Sequence, residues 1–122
     1  MQILKLGTIL MAVLFAAAIF LAPSLATPAA AGDIEATKAL YAKKCAKCHG
    51  ETGKGDGKKA KTLKKQPRDY TDKVKMAELT DEDLIESIKE GKKPMPSYKK
   101  GKKMLTDEEI NDLVAYIRTF AQ

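Results

Sequence analysis

The first segment after residue 31 has apolar residues three or four positions apart, which is the spacing of an amphipathic α-helix. From Asp33 to Cys48 no proline interrupts the chain, and Asp33 is placed to cap a helix start. The residues that recur at helical spacing are Ile34, Thr37, Leu40, Tyr41 and Cys45. We therefore predict a helix over this segment, with Tyr41 facing the core.

A second helix is predicted from Thr80 to Glu90. Thr80 and the acid three residues later form a capping-box-like start, and Gly91 ends the pattern. Its apolar face is made of Leu84, Ile85 and Ile88. A short helical turn is expected just before it, within residues 71–79.

The last helix is predicted from Thr106 to Phe120. Thr106 and Glu109 form a capping box at its start. The apolar stripe that follows contains Ile110, Leu113, Val114 and Ile117. We expect this helix to pack on the first one, which would bring Tyr41 near Tyr116.

The N-terminus has a different pattern, which is typical of an export signal. One positive side chain, Lys5, precedes an uninterrupted apolar run from Ile9 to Leu21, and small residues allow cleavage after Ala26 or after Ala31. The run is short for a membrane span. We predict that residues 1–31 are a cleaved signal peptide and that residues 32–122 form a periplasmic domain. The alternative is an uncleaved segment that tethers the domain to the membrane.

The chain contains two cysteines and one histidine, and all three lie in Cys45-Ala46-Lys47-Cys48-His49. Thiols one helical turn apart can both bond to the vinyl groups of one porphyrin, while the adjacent imidazole reaches the iron. A thioredoxin-like site would need a βαβ context, and a zinc site would need four ligands. The motif therefore predicts one covalent haem c, with a structural or redox disulfide as the alternative.

Composition agrees with a small domain built around a cofactor. The 44% hydrophobic share of the 122 residues is raised by the N-terminal run. A domain of this size buries a limited share of its surface, and a haem supplies apolar area that side chains need not provide. We expect the haem-free chain to fold poorly.

Four of the eight glycines lie in residues 50–57, Gly-Glu-Thr-Gly-Lys-Gly-Asp-Gly. No Gly-Lys-Ser/Thr follows at phosphate-loop spacing, and no strand precedes the segment. We predict a tight turn in which the backbone passes close to the haem face that carries His49. The carbonyl of Gln66 or Pro67 is a candidate acceptor for the second ring nitrogen of His49.

Met95 lies between Pro94 and Pro96, which restrict its backbone to extended geometry. A methionine pinned in this way suits a second axial ligand, and a thioether raises the potential of the iron. We predict Met95 as that ligand, with Met76 and Met104 as alternatives.

Together these residues resemble the class I monohaem cytochromes c over about residues 33–121. The resemblance is carried by the Cys-Ala-Lys-Cys-His motif, Tyr41 four residues before it, the Gly-x-Gly-Asp-Gly turn, the late Met-Pro and the terminal Leu-Val-Ala-Tyr-Ile-Arg helix. It implies an all-α fold of three to five helices around one covalent haem, with crossing N- and C-terminal helices. It also implies thioethers from Cys45 and Cys48, a proximal His49 and a distal Met95. Thr37 departs from the family, which often has a smaller residue at the helix crossing.

Charge points to the kind of partner. All 16 acidic residues and all but one of the 22 basic residues follow residue 31, which leaves this part of the chain with a net charge of +5. Basic residues cluster in residues 54–65, 89–93 and 99–103, and the last two clusters flank Met95. We expect a monomer that docks acidic redox proteins near the haem edge, and neither nucleic-acid binding nor a stable membrane span.

Two classes of function fit a single haem. One is a periplasmic electron carrier whose two axial positions are both filled. The other is a peroxidase or small-gas sensor with a displaceable distal ligand. A methionine on a rigid loop, and the lack of any second histidine in the sequence, favour the carrier over an enzyme.

Overall fold

The computed structural model describes residues 32–122. Within this range the chain forms five α-helices and no strand. The elements are α1 Ile34–Lys44, α2 Ala46–His49, a 3₁₀ turn Ala60–Thr62, α3 Lys73–Ala77, α4 Asp81–Glu90 and α5 Asp107–Thr119. The predicted all-α fold is confirmed. The predicted signal peptide, residues 1–31, lies outside the described residues.

Side-chain caps fix where the main helices begin. The Asp33 carboxylate accepts hydrogen bonds from two amides of the first turn of α1. Thr80 with Asp83 and Thr106 with Glu109 form complete capping boxes at α4 and α5. Each cap satisfies amide groups that have no partner inside the helix, which is why these starts agree with the sequence-based prediction.

The first helix is interrupted at Cys45, where the prediction had it continuous to Cys48. Cys45 has φ −115° and ψ −43°, and the Cys48 amide donates to the Cys45 carbonyl at 3.1 Å. The backbone therefore starts a new short helix, α2, at the haem motif. The buried face of α1 contains fewer residues than predicted. Tyr41 is 2% exposed, but Ile34, which belongs to the predicted apolar pattern, is 49% exposed.

Helix α5 packs against both α1 and α4. Its buried stripe is the predicted one, Ile110, Leu113, Val114 and Ile117. The rings of Tyr41 and Tyr116 meet edge to face with centroids 5.4 Å apart, which confirms the predicted packing of the last helix on the first. Thr37 fits in the buried face of α1 because its hydroxyl donates to the Asp33 carbonyl at 3.1 Å.

Arg118 joins α5 to the connection between α3 and α4. Its guanidinium donates to the carbonyls of Met76 and Leu79, both at 2.6 Å, and to the Asp81 carboxylate at 2.9 Å. These bonds fix the corner that leads into α4. No helix within residues 32–122 has both the length and the apolar character needed to cross a membrane.

Candidate haem-binding site

A cavity of about 460 Å³ lies between α2, α4, α5 and the loop of residues 91–98. All four predicted site residues, Cys45, Cys48, His49 and Met95, line it. Its aliphatic walls are Leu63, Leu84, Ile88, Leu105 and Ile117. The fold thus brings residues from both halves of the domain to one largely apolar space, of a volume ordinary for a small-molecule site.

His49 is held by a hydrogen bond on the side of the ring that a metal would not use. The side chain is 8% exposed, and Nδ1 lies 3.3 Å from the Arg68 carbonyl oxygen. A carbonyl can only accept, so Nδ1 carries the proton and Nε2 keeps its lone pair. Burial lowers the pKa of His49, which favours the same neutral, metal-binding form.

The acceptor for Nδ1 is therefore Arg68, and the candidates Gln66 and Pro67 are wrong. The Pro67 carbonyl is turned towards Gly55, where a Cβ atom would lie 2.6 Å from its oxygen. The Pro67 carbonyl therefore lies against the glycine turn, and the carbonyl of the next residue, Arg68, reaches the imidazole.

Tyr70 is a site residue that the sequence analysis missed. Its ring stacks on the imidazole of His49, with centroids 4.6 Å apart and an interplanar angle of 13°. Its hydroxyl lies 3.3 Å from Nε2 and donates to it, because Nδ1 holds the ring proton. Nε2 has one lone pair, so binding a metal there requires Tyr70 to give up this bond. Tyr70 lies in an irregular segment, where no periodicity could predict its burial.

The two cysteines are free thiols, each partly buried. Burial raises the pKa of the Cys45 thiol to about 11, and the nearby Cys48 adds to this shift. The disulfide that the motif left open as an alternative is not formed in the structure.

The three candidate methionines occupy different environments. Met95 is partly buried and lines the cavity. Met76 is 1% exposed and belongs to the hydrophobic core away from the cavity wall, while Met104 is 62% exposed. Of the three, Met95 is the methionine that lies beside His49 and the cysteines.

The glycine turn is hydrogen-bonded directly to the Cys-Ala-Lys-Cys-His motif. The amides of Gly55 and Gly57 donate to the carbonyls of His49 and Cys48, at 2.7 Å and 3.1 Å. Gly55 has a φ of +76°, and a Cβ atom at Gly57 would collide with the carbonyls of Ala46 and Lys47. The turn therefore needs glycine for backbone conformation at one position and for space at the other.

The rim of the cavity is strongly basic. Six cationic side chains line it, against one carboxylate, Asp69. The cations are Lys44, Lys65, Arg68, Lys75, Lys92 and Lys93. Lys75 pairs with Asp72 at 3.1 Å, whereas Lys92 and Lys93 are exposed and have no ion pair among residues 32–122. Two uncompensated charges of the rim, those of Lys92 and Lys93, thus lie close to Met95 in the chain.

These residues fit a haem c. Two thiols three positions apart, a neutral imidazole with its lone pair on Nε2, a thioether and aliphatic walls all border one cavity. The atoms that could bind a metal here are the imidazole nitrogen of His49 and the sulfurs of the cysteines and Met95. Within residues 32–122, no group of three or more Asp, Glu, His or Cys side chains is arranged to hold a metal ion by itself. A set of nitrogen and sulfur ligands suits a haem iron better than a hard cation.

Comparisons with known proteins agree with this chemistry. A family model described as cytochrome c matches residues 34–121. A cytochrome c6 of Rippkaea orientalis is 34% identical over 113 residues, which cover 93% of this chain and 94% of the relative. A solved structure, the KustC0563 c-type cytochrome, is 32% identical with a TM-score of 0.60, covering 70% of this chain and 98% of its own.

Replacing Gly57 with alanine should lower the yield of haem-loaded protein. The added methyl group would push on the Ala46 and Lys47 carbonyls between the two cysteines, at a cost of about 1–3 kcal/mol typical of overpacking. Gly101→Ala is the control, because Gly101 has a φ of +83° but no atom within 4 Å of a Cβ atom. That variant has a similar energetic cost of about 1–2 kcal/mol, which comes from backbone strain and not from a steric clash. Haem content per polypeptide should fall for Gly57→Ala only; equal haem content in both variants contradicts this role of the turn.

Proposed function

The chain belongs to the cytochrome c family, and on that premise we propose that it works in the periplasm, with His49 and Met95 as the axial ligands of its haem iron. Family membership makes it an electron-transfer cytochrome with one covalently attached haem c, and not an enzyme. When bound, the haem iron supplies a one-electron change of oxidation state. The chain's own residues decide how that iron is held and which proteins can approach it.

The observation that carries the proposal is the meeting of four chemically distinct side chains at one cavity. Cys45 and Cys48 come from the helix break and α2, His49 from the end of α2, and Met95 from a loop after α4. Thioethers from the two cysteines would fix the porphyrin edge, and Nε2 of His49 would bind the iron from one side. Met95 would supply a thioether as the second ligand from the protein.

The Met95 loop is suited to hold a ligand in place. The Met95 amide donates to the Lys92 carbonyl at 2.8 Å, and a proline lies on each side of the methionine. Gly91, with a φ of +70°, lets the chain return on itself so closely that a Cβ atom there would lie 2.6 Å from Pro96. A ligand on such a loop loses little conformational entropy on binding, and so competes well with external ligands.

The aliphatic walls favour the reduced haem. Oxidation adds one positive charge to the iron, and a site of low polarity stabilises that charge poorly. Together with a thioether ligand, this environment raises the reduction potential. The proposed carrier would accept electrons readily from donors of lower potential.

The Met95→Ala variant should keep its covalent haem but lose the weak red-edge absorption band that is characteristic of methionine bound to iron. Its potential should fall by on the order of 0.1 V or more, because axial ligands are the main determinant of haem potential. Met104→Ala is the matched control, since Met104 is one of the alternative ligands and its side chain is exposed to solvent. Visible spectra and redox titration of both variants test the assignment, and loss of the band in Met104→Ala instead would overturn it.

We further propose that the basic rim docks an acidic redox partner. Lys92 and Lys93 line the cavity next to Met95 and are exposed, so a partner bound there would lie close to the haem. Other lysines nearby are partly neutralised within the chain, since Lys89 pairs with Asp107 and Lys99 with Glu90, each at 2.7 Å. Lys92 and Lys93 have no ion pair among residues 32–122, so their charges would attract an acidic partner to the part of the rim that carries Met95.

The double variant Lys92→Glu/Lys93→Glu should slow electron transfer with a soluble acidic redox protein at low salt. Reversing two rim charges typically lowers an electrostatically steered association rate by roughly tenfold or more, and the difference should shrink as ionic strength rises. Lys58→Glu/Lys59→Glu carries the same change of charge at two lysines that do not line the cavity. Stopped-flow rates across a salt series would contradict the docking site if the two double variants were slowed equally.

A further inference from the structure

Tyr98 closes the loop that carries Met95. It is 5% exposed and lines the same cavity as His49 and Met95. Its amide lies 3.2 Å from each of the carbonyls of Ile88 and Lys89, near the end of α4. The preceding Ser97 hydroxyl donates to the Lys89 carbonyl at 2.6 Å. The base of the loop is thus bonded to α4 through the main chain.

The side chain of Tyr98 makes a second and more distant connection. Its hydroxyl donates to the carbonyl of Lys44 at 3.0 Å, across 54 residues of sequence. Lys44 is the last residue of α1 and directly precedes Cys45. The bond therefore joins the loop that carries Met95 to the backbone that carries the haem-attachment motif.

The break at Cys45 makes the Lys44 carbonyl available for this bond. In a continuous helix that carbonyl would accept from the Cys48 amide, but here the Cys48 amide donates to Cys45. Among residues 32–122, no backbone amide donates a hydrogen bond to the Lys44 carbonyl. Its donor in this part of the chain is the Tyr98 hydroxyl. A helix-end carbonyl beside an apolar cavity gains from such a partner.

We infer that Tyr98 is a positioning residue for the distal ligand: its hydroxyl ties the Met95 loop to the start of the haem motif and so keeps Met95 on the iron. This inference rests on the proposed ligation by Met95. Phenylalanine at this position would still fill the core but would leave the Lys44 carbonyl without its partner. The loop would then release Met95 more often, and an external ligand would reach the iron faster.

The test is the rate at which cyanide binds to the oxidised, haem-loaded protein. Tyr98→Phe should keep its haem and its methionine-to-iron band at neutral pH, but bind cyanide roughly three- to tenfold faster. A change of that size corresponds to the loss of one hydrogen bond from the closed state. The rate should become independent of cyanide at high concentration, where loop opening limits binding.

Tyr41→Phe is the matched control. Tyr41 is also buried, and its hydroxyl also donates to a single backbone carbonyl, that of Gly50 at 2.9 Å, at the other end of the haem motif. This variant should lose stability without a change in cyanide binding beyond about twofold. An equal acceleration in both variants, or none in Tyr98→Phe, overturns the positioning role.

The unaltered protein is measured first, which separates this inference from the proposal beneath it. If it lacks the methionine-to-iron band and binds cyanide at once, Met95 is not the ligand and both proposals are wrong. If the band is present and Tyr98→Phe exchanges no faster than the unaltered protein, the ligation stands and the inference alone is wrong.

Discussion

The hydrogen bond between Nδ1 of His49 and the Arg68 carbonyl decides what the imidazole can do. It fixes the ring proton on the nitrogen that faces the protein and leaves the Nε2 lone pair for a metal. The bond exists because the glycine turn allows residues 67 and 68 to approach α2, with Gly55 against the Pro67 carbonyl and Gly57 against the motif's own backbone. The turn, the motif and the segment after it therefore act as one unit on the His49 side of the cavity.

Around that unit, α5 provides the scaffold of the rest of the domain. It packs on α1, where Tyr41 contacts Tyr116, and on α4, while Arg118 fixes the connection into α4. The loop that carries Met95 follows α4 and returns to the end of α1 through Tyr98. Both sides of the cavity are thus tied to the same pair of helices. In so small a domain, a rigid apolar cofactor bound in the cavity would replace core side chains that the chain does not supply.

Much of this arrangement could be predicted from the sequence, and the exceptions have physical causes. The helix starts could be predicted from local capping groups. The glycine turn could be predicted because a cluster of glycines is typical of a backbone that needs positive φ or close contacts. The break at Cys45 could not be predicted, because no proline or glycine marks it and non-local contacts, such as that of Tyr98 with Lys44, accompany it. The roles of Arg68 and Tyr70 also depend on tertiary packing, since a backbone carbonyl carries no sequence signal and Tyr70 lies outside any periodic segment.

Intact-mass spectrometry of the exported protein tests most directly whether one haem is covalently held by Cys45 and Cys48. We expect a chain that begins at Thr27 or Gly32, depending on which cleavage site is used, and that is heavier than its amino-acid mass by about 616 Da, the mass of one haem. A peptide spanning residues 45–49 should carry all of that addition. A chain without any addition, or one lighter by about 2 Da as a disulfide between the two cysteines would give, would rule out covalent haem attachment at these residues.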